Sequence, residues 1–362
     1  MQKIVFVLSS GLVNAGVPRV LKDIYDGLHG EFQFDFIVQS HNKSYYDDFF
    51  IDKGSTIHRL RDFSHMSTRQ AFFYRMFKRP FEVFRILRKK EYSVIHCCNG
   101  FNGGFDCFVA KKCGIKKRIV HAHGTYKRLG SRLGKISDAL SLKLIKEYSN
   151  VKIAVSKKAG NSIFGDSDFS VVYNAIDSSL LGLPRELHSG INLIQIGYYS
   201  DLKNQMFSLN VLSILKNAGV DATMSFIGFS QQGNEQYLIR MKRFVAENGL
   251  LGCVLFLPHD TLKQNIFPKI DYLLLPSKSE GLPLVVLEGQ AAGIKCLVSD
   301  SVTDEVNVGF TKFLPINEPK QWAETILHNS FKGELDQSRI RLFSTNSFKN
   351  SIRHLYDISN AK

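Results

Sequence analysis

Two glutamates eight residues apart, Glu280 and Glu288, bracket the part of this chain best suited to chemistry. The apolar run at residues 272–275 reads as a buried strand that leads into a polar loop at residues 277–281. Pro283 then pre-sets the first turn of a helix that Gly293 ends. Glu280 is thereby put at the carboxyl end of a strand, and Gly281 lets the backbone come close to a ligand. Amide groups at a helix start are unpaired donors with partial positive charge, which suits a diphosphate. Glu288, about a turn and a half into the helix, can accept hydrogen bonds from ligand hydroxyls. Two acceptors flanking an anion-binding helix start match the needs of a sugar nucleotide. The bare spacing by itself favours two solvated surface glutamates, so the surrounding residues carry the argument.

Those residues must be positioned by a sheet. Short β-branched runs at residues 4–8, 32–38, 93–98, 118–123, 151–156 and 169–173 alternate with helical patterns. Between the first two, Pro18 sits where a first helical turn would begin, Val20, Leu21, Ile24 and Leu28 recur at helical spacing, and Gly30 stops the helix. The alternation restarts after a turn-rich stretch at residues 174–192, with strands expected at 193–197, 223–227, 254–257, 272–275, 295–298 and 312–315. Helices are expected between them, for example at 205–217 and 236–248. At 362 residues the chain is too long for one ordinary core. The pattern predicts an α/β protein of two Rossmann-like domains, residues 1–178 and 179–345, facing each other across a cleft. An amphipathic end at residues 346–362, helical over 348–358, is expected to pack back toward the first domain.

The run Ser277-Lys278-Ser279-Glu280-Gly281-Leu282-Pro283, followed by Glu288-Gly289-Gln290-Ala291-Ala292-Gly293 and Cys296-Leu297-Val298-Ser299-Asp300, resembles the nucleotide-binding signature of glycosyltransferase family 4. Further stretches agree in order. Residues 196–204, with Gly197, Lys203 and Asn204, resemble the family's strand end that holds the diphosphate. Residues 172–177 resemble its hinge, residues 153–156 the strand before it, and residues 118–124 the strand that ends in an active-site histidine, here His123. Asn14-Ala15-Gly16 stands where the family has a glycine-rich loop. The likeness is strongest to the branch that builds bacterial capsule and surface polysaccharides.

The resemblance implies the GT-B fold and a retaining, metal-independent transfer of a hexose or N-acetylhexosamine from a nucleotide diphosphate sugar, UDP-linked by analogy with the branch. The acceptor would be lipid-linked or an oligosaccharide. His123, Glu280 and Lys203 would carry the chemistry, with Glu280 facing the donor sugar, Lys203 neutralising the leaving diphosphate and His123 touching a sugar or acceptor hydroxyl. Gly16, Gly197, Tyr198, Lys203, Asn204, Gly281, Leu282, Pro283 and Glu288 would hold the donor, Glu288 at the ribose. His121, two residues before His123, is expected on the other side of the strand as a structural histidine. One position departs from the family: its diphosphate arginine is Tyr198 here, and a phenol brings no charge. Two other readings therefore stand beside the transferase, a sugar-nucleotide epimerase of similar fold and a non-catalytic sugar-nucleotide-binding homologue.

Composition narrows the field. Residues 1–180 hold 29 Lys+Arg against 16 Asp+Glu, so +13 of the formal +14 lies in the first half, which points to an anionic partner for that half. From Arg69 to Lys90, eight cations alternate with six aromatics. This predicts either contact with an anionic membrane surface or a pair of helices with aromatic faces inward and basic faces outward. Lys127 to Lys135 adds basic charge. No nucleic-acid recognition motif accompanies it. The six cysteines form no C-x-x-C pair and suggest reduced thiols in the cytoplasm, with the enzyme peripheral at the inner face of the membrane. No run reaches the ~18 apolar residues of a spanning helix, and residues 4–8 are too short for a secretory signal. Asp166-Ser167-Asp168 spells D-x-D, but in a loop outside the strand ends, so no metal is expected. Gly11 and Gly16 complete neither a G-x-G-x-x-G nor a phosphate loop ending in lysine.

Overall fold

The computed structural model describes residues 1–63, 65–126, 130–230, 235–331 and 333–358. The chain forms two compact units, Met1–Asn174 with Asn346–Lys362, and Ala175–Thr345.

The first unit is built on an all-parallel sheet of β1 (Gln2–Val7), β2 (Phe32–Val38), β3 (Ile57–Arg59), β4 (Val94–Cys97), β5 (Lys117–Ala122), β6 (Val151–Ala154) and β7 (Ser170–Val171), in the order β3-β2-β1-β4-β5-β6-β7. Strands buried on both faces favour continuous apolar runs, which β1 supplies over residues 4–7, whereas β2 alternates and its buried Asp35 is paired with Lys90 at 2.8 Å. Phe6 lies opposite Phe36 in the β1–β2 register and stacks on it and on Phe34, each at 5.7 Å. The edge strand β3 was not anticipated, since three partly buried residues carry no readable period. β5 stops at Ala122, so His123 is the first residue past the strand.

The chain's last helix, Thr345–Tyr356, belongs to this unit. It buries Phe348, Ile352 and Tyr356 at four-residue spacing, seats Tyr356 against Phe32 at 5.4 Å, and Arg353 forks onto Glu31. Residues 68–87 form helix Thr68–Phe73, a π turn at Tyr74–Lys78, and helix Arg79–Leu87. Here the expectation of aromatics inward and cations outward holds for Tyr74, Arg69, Lys78 and Arg85 and is reversed at five other positions. Arg75 and Arg79 point inward into ion pairs with Asp138 and Asp106, while Phe73, Phe77 and Phe81 point out.

The second unit has a parallel sheet of β8 (Ile191–Ile196), β9 (Ala222–Ile227), β10 (Val254–Leu257), β11 (Tyr272–Leu275), β12 (Lys295–Ser299) and β13 (Thr311–Leu314), in the order β10-β9-β8-β11-β12-β13. Helices Gln205–Asn217 and Pro319–Leu327 cover one face, where Trp322 packs edge-on to Phe207 at 5.1 Å and its indole N–H donates to the Pro315 carbonyl at 2.9 Å. In each unit the strand order reverses beside the first strand, between β1 and β4 and between β8 and β11. That reversal opens a crevice at the carboxyl ends of the strands, where doubly wound sheets bind ligands.

Candidate donor site and a buried histidine row

In the second unit the loops after β8 and β11 leave the sheet on either side of the reversal and are stitched together. The Lys278 amide donates to the Leu202 carbonyl at 2.9 Å, the Asn204 side chain to the Pro276 carbonyl at 3.3 Å, and Lys203 Nζ to Glu280 Oε1 at 2.6 Å. Asn204, in the left-handed region at φ 57°, turns the first loop into helix Gln205–Asn217. Gly197 has φ 150°, and a Cβ there would stand 3.3 Å from the Lys203 stem, so glycine lets the lysine lie across the strand end. Tyr198 contributes its ring face, 5.7 Å from Lys203 Nζ. Beneath, Gln195 and Gln205 brace the loop: Gln195 donates to the Lys203 carbonyl at 2.7 Å and Gln205 to the Tyr198 carbonyl at 3.0 Å.

The helix after β11 runs Leu284–Ala291. Pro283 is its N-cap, with extended ψ, rather than a residue of its first turn, and no side chain caps it. Gly281, Leu282 and Pro283 are all buried in the approach to that helix. Glu288 is 1% exposed and is ion-paired with Lys263, from the short helix Lys263–Ile266. The expectation had Lys203 and Glu280 facing a ligand separately; the structure pairs them with each other, and gives Glu288 a cation of its own.

Sequence reasoning missed Lys263, which sits in no motif, and Gly228. A Cβ on Gly228 would fall 2.3 Å from the Gly197 carbonyl oxygen, so the ends of β8 and β9 can meet only with glycine there. The signal that could have found Gly228 was its place at the end of a predicted strand.

Gly16 and His123 lie in the first unit. Gly16 opens helix Gly16–Leu28, whose N-cap Ala15 offers no side chain to the helix amides; a Cβ on Gly16 would touch nothing within 4 Å. Pro18 is the third residue of that helix. His123 shares its surroundings with His121 and His96; His121 is a fully buried core histidine as expected, but not on the opposite side from His123. Residues two apart on a strand share a face, and the His121 and His123 rings are 3.7 Å apart. His96 Nε2 is 3.1 Å from His121 Nδ1, and His96 Nδ1 is 2.9 Å from the Tyr356 hydroxyl. Burial pushes His96 and His123 down to about 3 and His121 well below the usual histidine range, with neighbouring rings adding to the shifts of His96 and His121. All three are neutral at physiological pH. If the phenol donates, the row is satisfied in sequence from Tyr356 to His96 to His121. The Nε2 atoms of His121 and His123 have no hydrogen-bond partner among the described residues.

The fold also brings Cys98 to His96 and His121, their ligand atoms all within 4.8 Å. No sequence spacing announced that trio. Burial raises the Cys98 thiol above its usual range, which keeps it protonated, and the two histidines are already bonded to each other. Asp166 and Asp168 are exposed in the turn between helix Lys157–Phe164 and β7, away from any strand end. Of the basic stretch from Lys127 to Lys135, residues 127–129 lie outside the described residues.

Two doubly wound parallel sheets, the second holding lysine–glutamate pairs at its crevice, define a GT-B protein. The fold agrees with Alr3699/HepE of Anabaena in complex with UDP-glucose, at TM-score 0.76 with 13% identity over 98% of this chain and 99% of that one. It also agrees with the apo lipopolysaccharide outer core galactosyltransferase WaaB, at TM-score 0.72 and 16% identity over 98% and 99%. Residues 15–180 match Glycosyltransferase Family 4 and residues 191–329 match Glycosyl transferases group 1, and the chain belongs to this glycosyltransferase family. EpsF of Bacillus subtilis (strain 168), which carries a glycosyltransferase designation, is 26% identical over 92% of this chain and 89% of its own. The capsular polysaccharide biosynthesis glycosyltransferase CapH of Staphylococcus aureus is 28% identical over 91% of each.

Proposed function

We propose that the protein is a retaining, metal-independent glycosyltransferase that moves a hexose or N-acetylhexosamine from a UDP-linked donor to a lipid-linked or oligosaccharide acceptor in bacterial surface polysaccharide synthesis. The observation that carries the reading is the Lys203–Glu280 pair, 2.6 Å apart between the two loops at the sheet reversal. The capsular role of CapH and the UDP-glucose bound by HepE support the acceptor class and the donor.

In the reaction, an acceptor hydroxyl attacks the anomeric carbon on the face from which the diphosphate leaves. The bond from that carbon to the diphosphate oxygen breaks, and the hydroxyl proton passes to the departing diphosphate. The charge that develops must be met by fixed groups. Lys203 and the uncapped amides at Leu284–Ala291 supply it, and Glu280 holds the lysine in place until a more highly charged diphosphate competes for it. Glu288, oriented by its ion pair with Lys263, accepts from ribose hydroxyls. His123, neutral and with Nε2 unpartnered among the described residues, offers a hydrogen bond to a sugar or acceptor hydroxyl. The reading sets the reaction in the cytoplasm at the inner face of the membrane.

Thermal shift with a panel of nucleotide sugars tests the donor, because stabilisation grows with ligand concentration over Kd and needs no acceptor. UDP-sugars should raise the melting temperature, and Lys203→Met should abolish the rise. Tyr198 in place of the family arginine favours a second reading, a sugar-nucleotide binder without turnover. Stabilisation by a UDP-sugar with no transfer to any acceptor would establish that reading instead.

A further inference from the structure

Residues 68–87 of the first unit bury Tyr74, Val83 and Leu87 as a covering helix would, but depart from that pattern at two arginines and three phenylalanines. Arg75 and Arg79, four residues apart, are 7% and 1% exposed. Arg75 donates to Asn102 and Asp138, each at 3.0 Å. Arg79 makes a two-pronged pair with Asp106 at 2.6 and 3.0 Å and donates to Gln39 at 2.9 Å. On the outer side Phe73, Phe77 and Phe81, again four apart, are 58%, 62% and 61% exposed, with the first two stacked 6.2 Å apart. Long apolar side chains laid in a row on a surface mark an interaction site.

What covers them is indicated by the surrounding charge. Phe73 lines a surface cavity of about 640 Å³ together with Arg61, Asp62, His65, Arg69, Tyr74 and Lys78, so three cations outnumber the one carboxylate. Arg85 and Arg88 are exposed further along the helix that carries Phe81. A water-soluble protein partner would match such a row with apolar groups and acids in fixed places. A bilayer of anionic phospholipid matches it generically, with head-group phosphates against the cations and acyl chains for the rings.

We propose that Phe73, Phe77 and Phe81 insert into the interfacial layer of an anionic phospholipid bilayer while Arg61, Arg69 and Lys78 hold a lipid head-group phosphate in the adjoining cavity. The buried arginine pairs fix the helix in the orientation that presents the rings. Unlike attachment by surface charge alone, this binding keeps a part that salt does not remove, because ring insertion is unscreened. The inference does not depend on which donor the second unit takes.

Trp322 is the chain's one tryptophan and is fully buried in the second unit, so Phe77→Trp adds a reporter at the surface. With phosphatidylcholine vesicles containing phosphatidylglycerol, its emission should shift to the blue and be quenched by brominated acyl chains. The triple variant Phe73→Ser/Phe77→Ser/Phe81→Ser, at exposed positions, should keep its far-UV circular dichroism and lose at least about tenfold in vesicle partition. Arg69→Gln/Lys78→Gln should remove the preference for phosphatidylglycerol over phosphatidylcholine alone. Emission of Phe77→Trp unaffected by vesicles, or partition of the triple variant equal to that of the native protein, would overturn the proposal. So would a dimer in solution that the triple variant abolishes, because a second copy would then cover the face. Thermal shift with UDP-sugars on the triple variant separates this outcome from failure of the donor reading.

Discussion

The two units share a topology and differ in what they bury at the ends of their strands. In the first, β4 and β5 carry neutral imidazoles, bonded to each other and to a phenol. In the second, the loops after β8 and β11 and the helix that follows carry ion pairs, Lys203–Glu280 and Lys263–Glu288, with side chains from 1% to 19% exposed. A buried ion pair contributes little net stability, and on the proposed reading a charged ligand takes over one partner of the pairs in the second unit. Neutral rings cannot serve that purpose. They hold a fixed hydrogen-bonding edge that does not change charge between pH 5 and 8, unlike an ordinary histidine. On the proposed reading, one strand end meets charge and the other hydroxyls.

The comparison breaks most readily in the first unit, through its inward arginines. Asp106→Asn leaves Arg79 buried with a weaker partner and should cost about 3–5 kcal/mol, measured by urea unfolding, because it strands a desolvated charge. A loss below about 1 kcal/mol would mean that water reaches Arg79.

Acid should act next. His96 and His123 titrate in the folded protein near 3, below the unfolded value of ~6.5, so the unfolded chain binds more protons between those limits. The stability they contribute is present above pH ~6.5 and falls as pH drops toward 3, by up to ~1.4 kcal/mol per pH unit for each histidine. Hydrogen exchange at successively lower pH should show β4 and β5 losing protection before β8 and β11. His96→Gln should flatten the slope.

A smaller effect separates the carboxylates of the second unit. Glu280→Ala and Glu288→Ala should each lower turnover at least about tenfold, ~1.4 kcal/mol of transition-state stabilisation, with circular dichroism unchanged. Lys263→Met should raise KM for the donor more than it lowers kcat, since it orients Glu288 without meeting the reacting atoms. Full activity in Glu280→Ala would remove that residue from the site. The smallest expected effect is that of a strong chelator, which should leave activity unchanged; loss restored by Mg or Mn would move the mechanism to metal-assisted transfer.

Much of this architecture was legible in residue order. Alternating β-branched runs and amphipathic stretches place twelve of the strands within a few residues, because buried parallel strands and surface helices have distinct periods. The run from Ser277 to Gly293 marks the loop and helix of the candidate donor site, since glycine and proline constrain the backbone locally. Other features depend on contacts between distant residues, which no local pattern encodes. Glu288 finds Lys263 and Lys203 finds Glu280 only after β8, β10 and β11 are set side by side. His96 and His121 are 25 residues apart and meet because β4 and β5 pair, and Tyr356 reaches them from the far end of the chain. From Arg69 to Lys90 composition suggests aromatics inside and cations outside. Arg75 and Arg79 turn inward instead because Asp106 and Asp138, on helices Gly103–Lys112 and Arg132–Tyr148, supply the buried carboxylates that make inward arginines stable. Period and turn chemistry act within a few residues and so are written in the sequence; charge pairing is decided by which strands and helices become neighbours, and only the tertiary structure decides that.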